Sequence, residues 1–89
     1  METIESNNII ELQTISKVEI EKGIENHKKA ALQFEAASKC HLEAAFYLEN
    51  GNHLKAVQST IEAHDNSLLA VETQKVVVEF ITSKLEENY

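Results

Sequence analysis

Six alanines constrain this chain more than any other feature. Ala30, Ala37 and Ala44 repeat at seven-residue intervals, and so do Ala56, Ala63 and Ala70. Reflection about position 50 matches Ala44 with Ala56, Ala37 with Ala63 and Ala30 with Ala70, and the next pair outward is Gly23 with Val77. Heptad spacing puts residues on one face of a helix, and small residues there let two helices approach closely. The pattern predicts an all-α fold, an antiparallel helical hairpin with a close alanine seam.

The residues at the centre of reflection agree. In Asn50-Gly51-Asn52, Gly51 can adopt the left-handed conformation that ends a helix, and Asn52 can cap the next one. The chain has no proline, and its two glycines are Gly23 and Gly51, so helix breakers are missing elsewhere. Ser16-Lys17-Val18-Glu19 fits the capping box, with Ile15 and Ile20 spaced as a hydrophobic staple. These signals predict a hairpin over residues 16–89, with a helix over about 17–49, a turn at 50–52 and a helix over about 53–86. Asp65-Asn66-Ser67 is a weak breaker signal, but the apolar phase continues through it. Glu25 with Lys29 and Glu35 with Lys39 are spaced as surface ion pairs.

Residues 1–15 stand apart as an N-terminal arm or short helix. Asn8-Ile9-Ile10-Glu11 could cap a helix through Leu12 and Ile15, while the isoleucine content also suits a strand-like or disordered arm. Its apolar residues imply that it packs on something.

Apolar stripes at helical spacing run through Ile20, Ile24, His27, Ala31, Phe34, Ser38, His41, Ala45 and Leu48, then through Leu54, Val57, Ile61, His64, Leu68, Val71, Lys75, Val78, Thr82 and Leu85. The alanine seam leaves the larger residues to one side. Ile24, Phe34, Leu48, Leu54, Val57, Ile61, Leu68, Val71 and Val78 are the expected interface. With 89 residues and one cysteine, the chain has a small core and no internal disulfide to reinforce it. Association is the remaining source of stability, and a homodimer closing into a four-helix bundle is the simplest form. A higher homo-oligomer or a partner helix from another protein would also cover the face. Leu42 and Phe46 lie elsewhere on the first helix and could serve a further contact.

Composition removes several classes of partner. A net charge of −7, with all positive charge on interleaved lysines, argues against nucleic acid and against anionic membrane surfaces. No apolar run approaches the roughly 20 residues of a membrane span. The opening Met1-Glu2-Thr3-Ile4-Glu5 lacks the features of a secretory signal, so a cytoplasmic location is expected.

Two resemblances follow from the turn. Ala44, Tyr47, Gly51, His53, Ala56 and Ala63 are spaced as in one tetratricopeptide repeat, over about a third of the chain. No second copy and no closing proline accompany them, so this resemblance implies a tight αα-hairpin and no peptide groove. The stretch from His41, Ala44 and Ala45 through Gly51-Asn52-x-x-Lys55-Ala56 to Ala63-His64 resembles short, uncharacterised bacterial helical proteins rich in Ala and His. That resemblance implies a hairpin and a bacterial source, and it brings no activity with it.

Candidate chemistry is sparse. His27, His41 and His64 fall on the apolar stripes, and a dimer would bring copies of His41 and His64 together. That arrangement could bind zinc, nickel or copper, with Glu35, Glu72 or Cys40 close in sequence. The Glu-x-x-His pairs typical of bundle metal sites are missing, so boundary histidines bonded to Ser38, a carboxylate or water are the plainer expectation. Cys40 beside His41 is not a catalytic pair, because adjacent helical residues point apart. No acid–base pair of carboxylates and no glycine-rich phosphate loop is present. The expected function is non-enzymatic and needs no cofactor: an oligomer-forming scaffold, adaptor or regulator acting through protein–protein contacts. The alternative is a metal- or ligand-binding four-helix bundle using His41 and His64.

Overall fold

The computed structural model describes residues 16–87, with side chains to residue 84. The arm at residues 1–15, the Ile15 staple and the Leu85 side chain lie outside the described residues. Two helices make up the described structure: α1 is Lys17–Glu49 and α2 is His53–Glu87. At 1.5 Å per residue they are about 50 Å long, and they pack against each other as a hairpin.

Each helix boundary has a local chemical cause. The Ser16 hydroxyl accepts from the Glu19 N–H at 3.1 Å, and the Glu19 carboxylate accepts from the Ser16 N–H at 3.0 Å. That backbone bond, aided by Lys84 3.4 Å away, holds the Glu19 carboxyl below the usual carboxylate range. α1 ends in a Schellman turn. Gly51, at φ +75°, donates to the Leu48 carbonyl at 3.2 Å, and Asn52 donates to the Tyr47 carbonyl at 2.9 Å. A side chain at Gly51 would meet no neighbour, so the left-handed backbone itself is what calls for glycine. The Asn52 side chain then accepts from the Lys55 N–H at 3.2 Å and starts α2.

Asp65-Asn66-Ser67 does not break α2. Asn66 and Ser67 turn their side chains back onto the carbonyls of Glu62 (2.9 Å) and Ala63 (2.8 Å) and remain helical. Neither Glu25–Lys29 nor Glu35–Lys39 forms an ion pair. The ion pair among the described residues instead joins the two helices, between Glu19 and Lys84.

The seam consists of small residues. The buried apolar side chains are Ala30, Ala37, Ala44, Ala56, Ala63, Ala70 and Val77. A second row beside it is mostly polar: Asn26, Gln33, Cys40 and Tyr47 from α1 and Asn66, Thr73 and Phe80 from α2 are partly buried, and Ser59 is buried. The Thr73 hydroxyl donates to Gln33 Oε1 at 2.8 Å across this row. Seventeen large apolar residues among the described ones remain at least 40% exposed. The hairpin therefore contains no large-residue core of its own, and any such core has to come from a further segment or chain.

Candidate functional site: an uncharged face

The seam fixes the phase of both helices and so defines the hairpin's two broad faces. Because the helices run in opposite directions, residues one place after a seam position lie on the same side in both. In α1 they are Ile20, Ile24, His27, Ala31, Phe34, Ser38, His41, Ala45 and Leu48. In α2 they are Val57, Thr60, His64, Ser67, Val71, Gln74, Val78 and Ile81, and His53 continues the phase. From Ile20 to Leu48 and from His53 to Ile81 none of these is Asp, Glu, Lys or Arg, although such residues form 26% of the chain; Lys17, the first residue of α1, continues the phase at the open end.

The opposite face, one place before each seam position, is different. Lys22, Glu25, Lys29, Lys39 and Glu43 from α1 and Lys55, Glu62, Asp65, Glu72 and Glu79 from α2 all lie there. That side carries its charges alongside exposed Val18, Leu32, Phe46, Leu69 and Val76, whereas the other offers a strip without a fixed charge from Ile20 to Leu48 and from His53 to Ile81.

All nine residues expected at an interface are exposed in the hairpin, from 41% at Phe34 to 70% at Leu54. Six of them belong to the uncharged face: Ile24, Phe34, Leu48, Val57, Val71 and Val78. Leu54, Ile61 and Leu68 extend it around the outer flank of α2, so the apolar surface is wider on that helix. Leu42 is isolated on the outer side of α1, and Phe46 packs edge-on against Tyr47 with ring centroids 5.6 Å apart. The Tyr47 ring also lies 5.7 Å from the Lys55 ammonium.

All four histidines lie on the uncharged face, and all are exposed. His41 and His64 join no group of three metal-type donors among the described residues. Of the expected partners, Ser38 and the carboxylates make no hydrogen bond to an imidazole among the described residues. Cys40 meets neither Glu35 nor Glu72. It sits instead beside Glu43 and Glu62 on the charged side, with the three donor atoms within 4.8 Å of one another.

That cluster is poorly suited to metal. Partial burial and then the Glu62 and Glu43 carboxylates raise the Cys40 thiol above its usual range, and Glu62 Oε1 accepts from Sγ at 3.9 Å. Coordination requires the thiolate, which these neighbours disfavour. Asn66 Nδ2 donates to the same sulfur at 4.0 Å, so the thiol is part of the polar seam row.

No helix among the described residues is long and apolar enough to cross a membrane. No family model matches the chain, and neither the curated proteins nor the solved structures provide a match, so the functional reading rests on the uncharged face itself.

Proposed function

We propose that this protein acts through protein–protein contact, with no catalytic role, by closing its uncharged face against the same face of a second copy. The product is a homodimeric four-helix bundle serving as a scaffold, adaptor or regulator. The observation that supports this reading is the division of charge: ten charged residues on one broad face and, past Lys17 at the helix start, none among the described residues of the other. Charged groups are depleted at interface cores because burying them unpaired is costly. A surface meant for water has no such reason to exclude them. A two-fold arrangement apposes identical patches, and an uncharged patch meets its own copy without repulsion. The large-residue core that each hairpin lacks would then form between the two.

Neighbouring thiols test which face closes. In a Cys40→Ala background, Ser38→Cys places a thiol on the uncharged face and Lys39→Cys places one on the charged face. Maleimide labelling at high protein concentration is expected to be slow at position 38 and fast at position 39, with the difference lost on dilution. Equal rates at every concentration would reject closure of this face.

A further inference from the structure

A cleft of about 580 Å³ lies between the two helices near their open ends, inside the Glu19–Lys84 ion pair. Its apolar walls include Ile20 and Ile24 from α1 and Val76, Phe80 and Ile81 from α2, and Gly23 lies at its centre. The hairpin's own packing does not require a glycine there. A Cβ at position 23 would meet nothing within 4 Å, while glycine inside a helix costs about 1 kcal/mol relative to alanine. The other small positions along the same seam row of α1 are alanines. At Gly23 the seam is open, and the space over its Cα is free to receive a side chain from elsewhere.

We propose that residues 1–15 of the same chain dock in this cleft and close the open end of the hairpin. They join α1 at Ser16, the residue that caps it beside the cleft wall. The cleft extends along α1 from Val18 to His27, about 14 Å at 1.5 Å per residue. Fifteen residues are more than long enough to reverse direction and span it. Their chemistry suits it as well. Ile4, Ile9, Ile10, Leu12 and Ile15 can fill the apolar walls, whose charged residues are one acid, Glu19, and one base, Lys22. The cleft shares Ile20, Ile24, His27 and Ile81 with the uncharged face, so a docked arm covers that end of the face and leaves the rest of it to a second copy.

The test is cleavage of the full chain after Glu11 by a glutamate-specific protease, with solution mass measured on the same samples. Cleavage is expected to be slow in the wild type. It should accelerate at least about tenfold, the factor lost with 1.4 kcal/mol of docking, in two variants. Gly23→Phe fills the cleft, and Ile9→Asp with Ile10→Asp spoils the arm without touching the hairpin. Rapid cleavage in the wild type overturns the proposal, and so does slow cleavage that both variants leave unchanged. Protection that disappears on dilution places the arm on a second copy and overturns docking within one chain. A monomeric mass with protection intact supports the docking while rejecting the dimer.

Discussion

Phe34→Glu is expected to convert the dimer to a monomer, whereas Leu42→Glu on the same helix leaves it dimeric. Phe34 lies midway along the uncharged face, and Leu42 is on the outer side of α1 among Lys28, Glu35 and Glu49. Both are exposed in the hairpin, at 41% and 71%, so exposure does not distinguish them. Their surroundings do. Removing Phe34 forfeits roughly 1.5–3 kcal/mol of apolar burial, and an unpaired carboxylate in its place adds a desolvation cost. Two-fold symmetry applies the change twice. A total near 6 kcal/mol weakens dimerisation by about four orders of magnitude. Light scattering across a dilution series checks the contrast. Equal behaviour of the two variants would show that the interface is elsewhere.

The second large effect is expected at the seam. Ala63 is completely buried and is paired by symmetry with Ala37. Ala63→Leu inserts three heavy atoms where two helix backbones approach closely. Overpacking of this kind costs about 1–3 kcal/mol, and a shift of roughly 4–8 °C in Tm accompanies each kcal/mol in a domain of this size. A seam with no flexible large residue to give way places the cost near the top of that range. Gln58→Leu, on the exposed face of the same helix, should stay within about 0.5 kcal/mol of wild type. Thermal melts followed by circular dichroism compare the two. An unchanged Tm for Ala63→Leu would mean that the helices are not held at alanine distance.

The alanine row was legible in the sequence because small residues at heptad spacing have few other uses in helices this long. The turn was legible because Gly51 and Asn52 each have a specific backbone task. The second seam row was not. Asn26, Gln33 and Thr73 fall on neither apolar stripe and Asn66 reads only as part of a weak breaker, and it is the pairing of the helices that brings Gln33 to Thr73 and Asn66 to Cys40. The apolar stripes were visible, but they lie beside the contact between the helices. The absence of charge emerges once the seam sets both helices in register, because it belongs to a face shared by two distant segments. The histidines show the same limit. Their stripe positions suggest a common interior for His41 and His64 only in a dimer; in the single hairpin both are exposed, and the donors that come together are Cys40, Glu43 and Glu62.

The most direct measurement is the solution mass of the full chain by light scattering over a wide concentration range. One chain weighs 10.0 kDa. A homodimer closed on the uncharged face predicts twice that mass, falling toward the mass of one chain only at high dilution. A mass of 10.0 kDa at every concentration would contradict the proposed self-association and leave the face to a different occupant.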